Sequence, residues 1–136
     1  MAEKLLETRK LTNGTTLSLY DASRRQAADR WIVVLEARVA ISLDANRFPS
    51  KGIDGLSLAT VSKVLGSEVV YINRQKRIFV PDEEQEDLIR LLRENFYRTT
   101  EPYISRPTFP LRYIVQQYRQ QLQQPSWREA ANGHRP

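Results

Sequence analysis

Few residues of this chain can do chemistry. Cysteine is absent, and the single histidine, His134, lies near the end in a Gly/His/Arg/Pro run. Zinc sites and nucleophile–base pairs are generally built from Cys and His, so carboxylates, Lys, Tyr, Ser and Thr are what remain. None forms a recognisable constellation: there is no Gly-rich dinucleotide or phosphate loop, no serine nucleophile elbow and no metal-ligand spacing. Glu36 and Arg38 project from the same side of a strand-like run. A partly buried carboxylate there could have a raised pKa suited to acid–base work, but a cross-strand ion pair explains the two equally well and is much commoner. The expectation is therefore a non-enzymatic chain with no catalytic residues, no metal site and no cofactor.

Two features point to binding instead. The first is basic: Arg24, Arg25 and Arg30 lie in DASRRQAADR, and Arg74, Lys76 and Arg77 lie in NRQKR. With Tyr20, Tyr71 or Phe79 available to stack on unpaired bases, these two segments could form one nucleic-acid or anion surface. Basic residues also decorate hairpin tips to keep edges from pairing. The second feature is apolar. Leu111, Ile114, Val115, Tyr118 and Leu122 mark one stripe of a last helix, preceded by a proline-bounded segment with Tyr103 and Phe109. Tyr103, Phe109, Ile114, Tyr118 and Leu122 are the candidate contacts for a protein partner or a weak homodimer, although such stripes are also the ordinary seam between helix and core.

The elements that must position these residues follow from periodicity. Asn13-Gly14 between two strand-like runs signals a two-residue type I′ turn, setting Leu11 opposite Thr16 and Thr8 opposite Leu19. Trp31, Val33, Leu35, Ala37, Val39, Ile41 and Leu43 fall on one face of a central strand. Its other face begins with Ile32 and Val34 and continues with Glu36 and Arg38, partly covered and partly wet. Residues 21–30 read as a long loop, residues 44–55 as another, residues 56–65 as a short helix stopped by Gly66, and residues 69–72 and 78–80 as two strands with a basic hairpin tip at 73–77. Asp82 and Gln85 fit a loose capping box opening a helix over 82–98, with Leu88, Leu91, Leu92, Asn95 and Phe96 as its stripe. Three prolines in residues 99–110 predict an extended link.

Residues 59–67, ATVSKVLGS, resemble the recognition helix of lactose-repressor-type DNA-binding domains. The resemblance covers nine residues and implies a complete helix and tight turn before it, where Pro49, Gly52 and Gly55 stand instead. A small helix buried by Leu58, Val61 and Leu65 is the competing account.

Composition sets the outer bounds. The chain has 136 residues, 40% of them hydrophobic and 27% charged, with 21 basic residues against 16 acidic, a net charge of +5. That size suits one domain, and the excess positive charge is modest. Five acids crowd residues 82–87, while residues 98–136 hold six Arg and two Glu. No apolar run approaches membrane length, and charges occupy the start where a signal peptide needs an apolar stretch. The expectation is a cytosolic α+β protein, not bound to membrane. Residues 1–124 should form a single domain with a mostly antiparallel sheet of about five strands and two to three helices on one face, and residues 125–136 a flexible tail. Its expected role is a small protein-interaction or adaptor domain, with a nucleic-acid-binding module using loop 24–30 and tip 73–77 as the alternative.

Overall fold

The computed structural model describes residues 3–123, so His134 and the tail segment 125–136 lie outside the described residues. In chain order the elements are β1 (Lys4–Lys10), β2 (Thr16–Asp21), β3 (Arg24–Ala27), β4 (Arg30–Ser42), α1 (Leu58–Leu65), β5 (Glu68–Pro81), a 3-10 turn (Asp82–Glu84), α2 (Gln85–Thr99), α3 (Glu101–Ile104) and α4 (Phe109–Leu122). The class is α+β, with a five-stranded antiparallel sheet. The described residues gather into two compact units, one of residues 3–40 with 70–109 and one of 41–69 with 110–123. Among the described residues, no helix is long and apolar enough to cross a membrane.

β4 organises the sheet. One edge pairs with β2 and then β3, the other with β5. Val33, Leu35, Ala37, Val39 and Ile41 are essentially fully buried, as their alternation predicts. Trp31 departs from this pattern, since it is only partly covered and its indole Nε1 donates to the Asp82 carboxylate.

The first hairpin has a different register from the one a type I′ turn would set. Leu11 N–H donates to Thr15 O at 2.8 Å and Gly14 N–H to Leu11 O at 2.9 Å, so the loop holds three residues, and Thr8 faces Ser18 while Lys10 faces Thr16. Only Gly14, at φ +90°, is left-handed; a type I′ turn needs two such residues. The Asn13 side chain is committed elsewhere. Its Oδ1 accepts from Thr15 N and Oγ1 at 3.1 and 2.7 Å, and its Nδ2 donates to Ile104 O and Arg106 O at 2.8 and 2.9 Å.

Residues 21–30 are not a long loop. At Ser23 the chain leaves β2 but stays beside β4, because Ser23 Oγ accepts from Val34 N–H at 3.0 Å in place of a backbone carbonyl. β3 then pairs Arg24 with Ile32 and Arg25 with Trp31, closing on β4 through Ala28 and Asp29. The basic hairpin tip at 73–77 is also absent, for β5 runs unbroken through it. Asn73 and Gln75 stay half-buried while Arg74 and Lys76 are exposed, so polar residues simply continue the period of two.

The helices of the first unit differ from expectation in detail. The 3-10 turn precedes α2, and no side chain caps either, because Asp82 is held by Trp31 and Arg25. Ile89, Leu92 and Phe96 form the buried stripe, and Leu91 is exposed. The predicted extended link contains α3, which accepts Pro102 in its first turn, where a missing N–H costs nothing; Ile104 is its buried anchor.

In the second unit, α1 starts at Ser57, whose Oγ accepts from Thr60 N–H at 3.1 Å, and ends at Gly66. No helix precedes it, so the arrangement implied by the DNA-binding resemblance is missing. Gly52, at φ +83°, could not carry a side chain, since a Cβ would lie 2.5 Å from Leu56 O. Val61, Ile114, Val115 and Tyr118 are buried. Ile114→Ala should destabilise the chain by about 2–5 kcal/mol, measured as a lowered midpoint in urea unfolding with an unchanged slope.

Candidate anion-binding cleft

The even-numbered residues of β4 look away from the face that buries Val33, Leu35, Ala37, Val39 and Ile41. On their side, Glu3, Ala22, Arg24, Val34, Glu36, Arg74 and Lys76 line a cleft of about 380 Å³. That volume suits a small anion or a sugar-phosphate-sized group.

Glu36 is the floor, with only 3% of its surface exposed. Arg38 Nε donates to its Oε2 at 2.5 Å, while Arg74 Nε and Nη2 reach Oε1 at 2.8 and 2.6 Å. Arg38 also donates to Glu3 and lies 4.1 Å from the centre of the Tyr20 ring. Burial is the largest single influence on Glu36 and pushes its carboxyl up. Together, however, the hydrogen bonds and charges of Arg38 and Arg74 outweigh burial and hold it below the ordinary glutamate range. The raised pKa that acid–base catalysis would need is therefore not found.

Four cations, Arg24, Arg38, Arg74 and Lys76, surround two carboxylates, Glu3 and Glu36. The carboxylates are satisfied by Arg38 and Arg74. Arg24 and Lys76 make no side-chain ion pair or hydrogen bond among the described residues, and both are exposed at the cleft. Arginine presents a planar fork that grips oxyanions through two parallel bonds, and lysine acts as a point charge.

Strand alternation thus divides the basic candidates of β3 and β5, while Arg30 is set apart by its place at the start of β4. Arg24, Arg74 and Lys76 converge on the cleft. Arg25 instead pairs with Asp82 at 3.4 Å and stacks on Trp31 at 4.9 Å. Arg30 pairs with Asp29 at 3.1 Å and covers Phe79, and Arg77 folds back to the Lys76 carbonyl at 2.9 Å. Of the aromatic candidates, Tyr20 is covered by Arg38, Tyr71 meets Phe109 edge-on at 5.3 Å, and Phe79 is exposed. Of the protein-contact candidates, Phe109, Ile114 and Tyr118 are buried, whereas Tyr103 and Leu122 are about half exposed. Among the described residues no group of three or more His, Asp or Glu stands together as a metal site. Sequence reading found the Glu36–Arg38 pair but not its union with Arg74 and Glu3, which depends on strand pairing.

No family model, curated protein or solved structure matches this chain.

A depressed folded pKa stabilises above the unfolded value, about 4.3 for Glu, and that contribution is lost as pH falls through the folded value. Glu36→Gln should therefore destabilise the chain by about 1–3 kcal/mol at neutral pH, less than a fully buried pair because the guanidinium groups are partly solvated. The gap from the unsubstituted protein should close as pH is lowered from about 5 toward 3 in urea titrations of both.

Proposed function

We propose that this chain is a non-enzymatic binding module of the cytosol that holds an oxyanion of its partner in the cleft on the open face of the sheet. The carrying observation is the convergence of Arg24, Arg74 and Lys76 from two strands, with Arg24 and Lys76 lacking carboxylate partners among the described residues. Both acids at the site are already bound by guanidinium groups, so neither offers an unpaired carboxylate as a base. What the cleft supplies is charge and hydrogen-bond donors. An alternative docking of a partner on α4 draws less support, since Ile114 and Tyr118 are covered by the chain itself and a partner would have to displace that packing.

Calorimetry with tripolyphosphate tests the reading. The protein should bind it with an affinity that falls as salt rises, and Arg24→Ala with Lys76→Ala should weaken binding at least about tenfold, since each charged hydrogen bond is worth about 1.5–3 kcal/mol. Arg77→Ala removes a positive charge outside the cleft and should leave the affinity nearly unchanged. Equal losses from Arg77 and from the cleft pair, or no binding at low salt, would overturn the proposal.

A further inference from the structure

We infer that the partner is a single-stranded nucleic acid, with a backbone phosphate in the cleft and a base stacked on Phe79; this rests on the anion-binding reading above. Along β5, Ile72, Arg74 and Lys76 take the exposed side in turn, and the period of two would cover Arg77 and Phe79 and leave Val80 exposed. Instead Ile78 and Phe79 are both 62% exposed and Val80 is buried. The alternation is lost from Arg77, which is exposed, and immediately before Val80 stands Phe79, whose φ of +61° is an outlier for a bulky residue.

This backbone is held from outside its own strand. Gln26 Oε1 accepts the Phe79 N–H at 2.8 Å, and the Arg30 guanidinium sits 5.3 Å from the ring centre. An aromatic ring is thereby fixed in solvent three residues from Lys76, about 10 Å along an extended strand. Cations beside an exposed ring are the combination by which proteins hold unpaired strands: phosphates go to the charges and a base to the π-face. A duplex keeps its bases stacked inside and offers none to Phe79. A bilayer is bound through broad apolar area, whereas the exposed apolar residues of β5, Val70, Ile72, Ile78 and Phe79, are interrupted by the exposed cations Arg74 and Lys76.

The test is fluorescence anisotropy with short labelled oligodeoxythymidine and oligouridine. The protein should bind both, more tightly than a duplex of equal length and more tightly than anionic phosphatidylserine vesicles. Phe79→Leu keeps an apolar side chain at an exposed position; it should weaken oligonucleotide binding about tenfold and leave tripolyphosphate affinity unchanged. In Phe79→Trp, oligonucleotide should alter the added indole emission. If tripolyphosphate binds through Arg24 and Lys76 while both oligonucleotides fail, or if Phe79→Leu has no effect on them, the nucleic-acid inference is overturned and the anion cleft stands. Vesicles or polyglutamate binding better than the oligonucleotides also overturns it. Oligonucleotide binding that survives Arg24→Ala with Lys76→Ala overturns the placement in the cleft.

Discussion

A carboxylate stripped of water must be repaid in hydrogen bonds, and at Glu36 the payment comes from two directions. Arg38 approaches along β4 and Arg74 from β5. Removing one member would leave a charge stranded, so the three residues tie strand pairing to the character of the open face. Arg38 carries the link on to Glu3 and over Tyr20. The result is a polar floor in the middle of a sheet whose opposite face is aliphatic. The cations beyond the floor, Arg24 and Lys76, are left to face solvent with their charges uncompensated by the described residues.

Elements whose signals are local were legible in the sequence. β4 declared itself through six alternate apolar positions, α1 through its C-terminal glycine and spacing, α2 through its acids and apolar stripe, and α4 through its apolar stripe. Elements defined by a distant partner were not. β3 is four exposed residues, Arg-Arg-Gln-Ala, and is a strand only because β4 runs beside it with Ser23 replacing a backbone acceptor. The polar middle of β5 reads as a turn by composition, yet it contains neither Gly nor Pro, and its alternation holds from Asn73 to Lys76. The register of the first hairpin depended on Asn13, whose amide is bound to carbonyls about ninety residues further on.

The same division governs the cleft. Residue type identified all six basic candidates, and the sequence also placed Glu36 and Arg38 on a common face. Which three of the five in β3 and β5 converge depends on parity there, which could be read only once each was known to be a strand, and Arg30 is set apart by its place at the start of β4. Arg24 and Arg25 are neighbours in sequence but belong to opposite faces, and so are Lys76 and Arg77. A basic cluster counted along the chain is therefore twice as rich as the surface it produces.

The irregularity at Phe79 has a structural explanation that does not account for its side chain. Beyond the left-handed backbone of Phe79, Val80 turns into the core and Asp82 meets the Asp29 carbonyl, Trp31 and Arg25 where the sheet gives way to α2. That backbone conformation serves the junction whatever residue occupies it, and Gly or Asn would do so with less strain. Phenylalanine adds steric cost there and recovers little by burial, being 62% exposed. Arg30 resting on its ring does not require the strain, since a guanidinium can stack on an aromatic held in ordinary backbone. The junction accounts for the backbone at this point; what it does not account for is an exposed aromatic ring three residues beyond Lys76, and the inferred stacking of a base is what gives that ring a use.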